Sequence, residues 1–257
     1  MKTGKLAERM AKGKPAIGTA VGLRDSLVTI IMANADFDWV WIDQEHNPFT
    51  EIQLQMMIYS LKDRDLTPVI RVRENTEGYI KIALDMGAGG VLVPQLETVD
   101  DFRKAVKYAK YPPLGKRGYG PMHATDFWKH KKQYDEEANT MVKLICQIEF
   151  IDLVNRIDEV FQVEGIDAFF IGPADLAWSM GLKGDSIHPD VEQAIGEIAK
   201  AAQRHGTTWG MPASDAAACK KLYDLGARLL SVGADRSFMI NGAKQELAEA
   251  RRLLTGN

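Results

Sequence analysis

Short apolar runs closed by turn residues alternate with longer stretches whose apolar positions recur at helical spacing, from one end of the chain to the other. Parallel strands joined by helical crossovers require that alternation, because each strand is buried on both faces and each helix on one. The strand candidates are 16–22 (AIGTAVG), 37–43 (FDWVWID), 67–72 (TPVIRV), 89–94 (GGVLVP), 143–149 (KLICQIE), 167–172 (DAFFIG), 207–212 (TTWGMP) and 229–233 (LLSVG). Helices are expected at 25–35, 50–62, 76–86, 98–109, 152–161, 190–205, 214–225 and 236–253. Thr50 with Glu51 marks one helix start, and Gly87, Gly206 and Gly226 mark helix ends. About eight strands in 257 residues predict an α/β fold closed as a (β/α)8 TIM barrel, since an open doubly wound sheet has fewer. No linker or longer repeat divides the chain, so residues 1–257 read as one domain.

Residues 111–142 break the rhythm, being too long for an idle loop between a helix and the next strand. The segment holds a Gly-rich bend around Arg117, the aromatic pair Phe127 and Trp128, and a charged helix-like stretch. Two readings stand: a lid or subunit contact near the site, or a helical excursion on the surface.

Composition narrows the partners. Hydrophobic residues make up 46% and charged residues 26% of the chain, the balance of a globular protein with a sizeable core. A net charge of -3 gives no global attraction to nucleic acid or to anionic lipid, and the basic run Lys129–Lys132 is followed by Asp135, Glu136 and Glu137. The start has positive charges without the apolar core of a signal peptide, and no apolar run approaches a membrane span, so a cytoplasmic protein is expected. Cys146 and Cys219 have neither metal-ligand spacing nor a disulfide framework and read as core thiols.

In a barrel of this kind the site forms where strands end, so the polar residues closing the apolar runs are the candidates. They are Asp43, Glu45 and His46 after FDWVWI, Arg71 after TPVI, Gln147 and Glu149 at the end of the fifth run, and Asp175 just past the sixth. Gln147 and Glu149 share one face of their strand and Cys146 and Ile148 the other. Two carboxylates beside an amide suit a hard divalent cation, Mg²⁺ or Mn²⁺, better than zinc, which prefers His and Cys ligands. Arg71 offers a fixed cation for a developing oxyanion, its alternative being a strand-end salt bridge with these carboxylates. His46 is the candidate base. His123, in the long loop, is a further candidate for substrate contact, and no lysine closes a strand as a Schiff-base mechanism needs.

Six stretches together carry a likeness: IDQEH at 42–46, PVIR at 68–71, LDMGAGGVLVP at 84–94, YPPLGKRGYG at 111–120, CQIE at 146–149 and EGIDAFFIGPADLAWSMG at 164–181. In order and spacing the chain resembles the HpcH/HpaI aldolases, the class II pyruvate aldolases, over nearly its whole length. The resemblance implies a phosphoenolpyruvate/pyruvate-type barrel that reversibly cleaves a 4-hydroxy-2-oxo acid to pyruvate, or a substituted pyruvate, plus an aldehyde through a metal-bound enolate. It implies Glu149 and Asp175 as ligands of Mg²⁺ or Mn²⁺, with Co²⁺ as a third choice, and Gln147 in the shell of metal and substrate. Gly172, Pro173, Ala174 and Asp175 would bind the substrate carboxylate through backbone amides. Arg71 would stabilise the enolate, and His46 would act as base with Asp85 raising its basicity, across a subunit boundary in one version. A homohexamer whose last helix is swapped onto a neighbour is also implied. This chain has Gln44 where the family commonly has Gly, RVRE where the family has an Arg-Pro step, which adds Arg73 near the site, and Tyr119, Met122 and His123 where small residues are common, which points to a different acceptor pocket. The competing readings are a decarboxylase of the same superfamily, similar to macrophomate synthase, and a barrel kept for binding alone.

Overall fold

The computed structural model describes residues 4–255, and all eight expected strands are present. They are β1 (Ala16–Val21), β2 (Trp39–Asp43), β3 (Thr67–Arg71), β4 (Gly90–Val93), β5 (Lys143–Ile148), β6 (Ala168–Ile171), β7 (Trp209–Ala213) and β8 (Leu229–Ala234). Every neighbouring pair is parallel, and β8 returns to β1, so the sheet closes in sequence order. The fold is therefore the expected (β/α)8 barrel.

Among the described residues twelve helices surround or cap it: α1 (Gly4–Ala11), α2 (Ser26–Asn34), α3 (Glu51–Tyr59), α4 (Glu77–Asp85), α5 (Val99–Ala109), α6 (Lys131–Met141), α7 (Ile151–Val154), α8 (Ile157–Phe161), α9 (Pro173–Ser179), α10 (Pro189–His205), α11 (Ala216–Asp224) and α12 (Asp235–Thr255). Thr50 caps α3 through a reciprocal pair with Gln53, and Gly206 ends α10, as their positions predict. The expected helix 152–161 is two short helices instead, interrupted at Asn155 and Arg156. Two helices went unforeseen as elements, α1 and α9, while α6 is the charged helix-like stretch of the long excursion.

Alternation along the strands sorts the core into two parts. Trp39, Trp41, Val69, Leu92, Ile145, Phe170 and Leu229 point into the barrel and fill it. The opposite faces, with Cys146 and Ile148 among them, pack under the helices. Helix α1 closes the amino-terminal end of the barrel: Leu6 is fully buried with the inner cluster, its amide donates to Thr67 Oγ1 at 3.1 Å, and Arg9 pairs with Asp38 at 3.1 Å.

The 111–142 excursion belongs to that same end. Ala124 N donates to Asp85 O at 3.2 Å beside the end of α4, and His123 Nδ1 bonds the hydroxyl of Tyr59, the last residue of α3. Both helices run back from the carboxyl ends of their strands, so their last turns lie at the amino-terminal face. The buried ammonium of Lys110 fixes the base of the excursion, donating to Asn139 O and Val142 O at 2.9 Å and to Asp167 Oδ2 at 2.7 Å. Of the readings for this segment, a lid over its own strands is excluded: it does not reach over their carboxyl ends, because Lys110, Arg117 and His123 anchor it at the opposite end. A cavity of ≈ 500 Å³, lined in part by Tyr59, Thr67, Gly87, His123 and Phe127, opens there.

Candidate active site

At the carboxyl ends of the strands, β2 and β3 deliver Asp43 and Arg71 side by side, in register. Arg71 Nε donates to Asp43 Oδ1 at 2.9 Å, and its Nη1 lies 3.0 Å from Glu45 Oε2. The guanidinium carbon sits 4.6 Å from the centre of the Trp41 ring, whose Nε1 donates to Ser231 Oγ at 2.8 Å. The inward tryptophan of β2 therefore serves as a shelf for the charge. Arg71 thus makes the strand-end salt bridge that its alternative reading expects. Its Nη2 makes no hydrogen bond among the described residues.

Asp43 organises the loop after β2. Its Oδ1 accepts from the amides of Glu45 and His46 at 3.2 and 3.3 Å, and its Oδ2 accepts from Asn47 Nδ2 at 2.8 Å. The His46 ring is left exposed, with Nε2 3.6 Å from Glu45 Oε2. Burial pushes the Glu45 carboxyl above its usual range and the Asp43 charge adds to that, while Arg71, His46 and the Gln95 carboxamide hold it back.

Across the mouth, Gln147 and Glu149 face inward with Cys146 on the other side, as alternation requires. Glu149 is fully buried: its Oε2 accepts from Gln147 Nε2 and its Oε1 from the amide of Gln95 at 2.5 Å. Burial pushes its pKa up to about 7, with the charges of Glu45 and Asp175 adding to the rise. Gly172 makes the close approach possible, since a Cβ there would lie 2.6 Å from Gln147 Nε2 and 2.9 Å from Glu149 Oε2. Asp175 sits in the first turn of α9, where Pro173 takes the first helical position. A helix start leaves the amides of Ala174 and Asp175 without intrahelical partners, facing the same mouth.

The Asp175 charge disfavours that of Glu149, and Gln147 Oε1 is buried without a hydrogen-bond partner among the described residues. Hard oxygen donors and an orphaned amide oxygen fit a divalent cation. Two carboxylates are few, and among the described residues no group of three or more His, Cys, Asp or Glu is placed to hold a metal. A cation here would take its remaining ligands from water and substrate.

Asp85 is not brought to His46 within the chain. It ends α4 at the amino-terminal face, where its Oδ1 accepts from Arg117 Nη2 at 2.5 Å, and Arg117 in turn meets Tyr134 Oη at 3.0 Å. Tyr119, Met122 and His123 likewise lie on the excursion at that end, so within one chain they do not line an acceptor pocket. Gln44 is buried at the end of β2, and Arg73 anchors the loop after β2 by donating to Phe49 O at 2.7 Å. Sequence reasoning missed Gln95, Asn47 and Trp41. Only Trp41 left a signal, as an inward position one step before Asp43 on the same face.

The family described as HpcH/HpaI aldolase/citrate lyase matches residues 21–242. The chain is 33% identical over 252 residues to 4-hydroxy-2-oxo-heptane-1,7-dioate aldolase of Salmonella paratyphi B, covering 97% of this chain and 96% of that one. An HpcH/HpaI aldolase/citrate lyase family protein from Burkholderia cenocepacia superposes with a TM-score of 0.90 at 33% identity, covering 96% of this chain and 99% of that one. Macrophomate synthase superposes at 0.81 with 27% identity, over 97% and 90% of the two chains.

Proposed function

We propose, from the premise that the chain belongs to the HpcH/HpaI aldolase/citrate lyase family and is one of its aldolases, that it is a metal-dependent lyase cleaving a 4-hydroxy-2-oxo acid to pyruvate, or a substituted pyruvate, and an aldehyde. The observation that carries the reading is the facing arrangement of Arg71, held over Trp41 by Asp43 and Glu45, and the buried pair of Gln147 and Glu149. A guanidinium and a set of oxygen donors at the same end of the barrel offer the two kinds of partner that a chelated 2-oxo acid would need.

A divalent cation, Mg²⁺, Mn²⁺ or Co²⁺, held by Glu149 and Asp175 with Gln147 beside it, would polarise the keto oxygen as a Lewis acid. The amides of Ala174 and Asp175, with Gly172 and Pro173 shaping the turn, take the C1 carboxylate. In the cleavage direction His46 accepts the proton of the C4 hydroxyl. The C3–C4 bond breaks, C4 becomes the aldehyde carbonyl, and the bonding pair passes to the three-carbon fragment as an enolate. Arg71 Nη2 faces the oxygen that gains charge, already desolvated and oriented, so little reorganisation opposes the step. Protonation at C3 gives pyruvate, and the reverse sequence builds the aldol. Asp85 enters this scheme only from a second copy of the chain.

The unpartnered length of α12 supports assembly into a homo-oligomer, a hexamer by family, with that helix swapped: Met239, Ile240, Leu247 and Leu254 along it are exposed. No helix among the described residues is long and apolar enough to cross a membrane; a cytoplasmic location without a membrane or nucleic-acid partner is part of the proposal.

Macrophomate synthase, at 27% identity, favours one second reading, in which the same enolate arises by loss of CO₂ from an oxaloacetate-type acid. A barrel kept for binding alone has no need of the oriented set of His46, Arg71, Glu149 and Asp175. The deciding experiment is exchange of pyruvate methyl protons with solvent deuterium, followed by NMR on chelator-stripped protein before and after Mg²⁺ or Mn²⁺. Exchange only with metal is expected, and no exchange in either condition refutes the enolate reading. Oxaloacetate turnover without any aldehyde activity would transfer the assignment to the decarboxylase.

A further inference from the structure

We infer that the cavity at the amino-terminal end of the barrel is a second binding site, for a small organic acid with an apolar or aromatic body, separate from the reaction at the carboxyl ends of the strands. Its volume of ≈ 500 Å³ is that of a site for a small organic molecule. Ile58, Leu61, Leu66, Met86 and Met141 supply apolar lining. Strand β3 separates the two sites: Thr67 lines the cavity, and Arg71, four residues on, stands about 13 Å away at the other end of the strand.

The polar part of the lining is built around His123. The Tyr59 oxygen accepts from Gln55 Nε2 at 3.3 Å, which leaves the phenol hydrogen for His123 Nδ1. In the neutral ring that tautomer puts the remaining proton on Nε2, which makes no hydrogen bond among the described residues. The ring is thus an oriented donor in the wall of the cavity. Phe127 packs edge-on against it, with ring centroids 5.3 Å apart. The rim keeps that arrangement with three consecutive left-handed residues, Asp126, Phe127 and Trp128, at φ 54°, 53° and 71°, a conformation that non-glycine residues adopt at a cost.

Charge around the cavity favours an anion. Lys62, Arg64 and Lys129 line it against Asp63 and Asp126. Asp126 is already engaged by Lys62, with Lys129 3.8 Å away. Among the described residues Arg64 is held only through Nη1, which donates to a neutral acceptor, Asn34 Oδ1, at 2.9 Å. The rest of its planar fork of N–H donors suits a carboxylate. Apolar walls, an oriented N–H and a guanidinium bonded to an amide rather than to an acid together match an amphipathic anion.

The test is calorimetric titration of the protein with 2-naphthylacetate and, separately, with its neutral counterpart 2-naphthylacetamide. The acid should bind once per chain with a dissociation constant in the micromolar range, and the amide about tenfold more weakly. His123→Phe keeps the ring packing and removes the N–H, and should weaken the acid about tenfold. Arg64→Gln changes only an exposed side chain, and should bring the acid to about the affinity of the amide. Saturating pyruvate with Mg²⁺ should leave the affinity for the acid as it was. Displacement of the acid by pyruvate would place it at the mouth of the barrel and overturn the inference. So would acid and amide bound alike by the unaltered protein, no binding of either, or full affinity for the acid in both variants.

Discussion

The amide nitrogen of Gln95 and Oε1 of Glu149 lie 2.5 Å apart, and Gln95 reaches that position with a left-handed backbone, φ 56°. A non-glycine residue adopts this conformation at a cost, and here the turn after β4 aims an N–H at the buried carboxylate. Gln95→Gly should keep the bond and relax the strain, holding affinity for Mn²⁺ within a few-fold. Gln95→Pro, with no N–H and a fixed negative φ, should weaken Mn²⁺ binding about ten- to a hundredfold by calorimetry. Equal affinities in the two variants would dismiss the contact.

The raised carboxyl of Glu149 couples stability to pH in metal-free protein. A group lifted from 4.5 to about 7 by folding contributes stability that is full below about 4.5 and lost as pH rises through about 7. The whole change amounts to about 3 kcal/mol. With chelator present, wild-type protein should therefore melt at a lower temperature at pH 8.5 than at pH 5.5 by more than Glu149→Gln does. Identical pH profiles for the two proteins would remove Glu149 as the cause.

Gly172→Ala puts a methyl group 2.6 Å from Gln147 Nε2 and 2.9 Å from Glu149 Oε2. Displacement of these groups by even 1 Å should lower kcat about a hundredfold, with circular dichroism unchanged. Activity at the wild-type level would mean that the wall yields.

Removing the charge of Arg71 strands two buried carboxylates. Arg71→Met should lose about 3–5 kcal/mol in urea unfolding as well as activity. The double variant Arg71→Met with Asp43→Asn should regain part of the stability and none of the turnover.

His46 presents the opposite case, because its ring is exposed and has only Glu45 nearby. His46→Ala should leave stability within about 0.5 kcal/mol. Pyruvate proton exchange should slow about a hundred- to ten-thousandfold. Exchange at the wild-type rate would place the base elsewhere.

The barrel was legible because strands buried on both faces must be written as continuous apolar runs, and FDWVWID or KLICQIE can be little else. Positions on those strands were legible for the same reason: alternation alone places Gln147 and Glu149 inward and Cys146 outward. Loop geometry was not. Gln95 matters through its backbone angle, and Asn47 through an amide that ties Asp43 to Arg236, and neither leaves a mark in composition. Asp85 stands in a motif shared with the family, yet the direction of α4 carries it to the far end of the barrel. Motif spacing says nothing of which face a helix ends on until the topology is drawn. Helix α1 was read only for what it lacked as a leader, while its one decisive residue, Leu6, serves as a stopper for the barrel.

The hydrogen bonds from Gly22 and Leu23 to Asp235 join residues 213 and 212 positions apart, across the seam where β8 meets β1. Loop closure over that length is among the slowest and least favourable contacts a chain of this kind makes. The wall that carries Arg71, Gln147 and Glu149 comes from the middle of the chain, and the wall that carries Gly22 and Arg236 comes from its two ends. On a growing chain the first wall can take shape before β8 has been synthesised, whereas the second must wait for the ring to shut. Closure of the ring is thus the step that completes the mouth of the barrel.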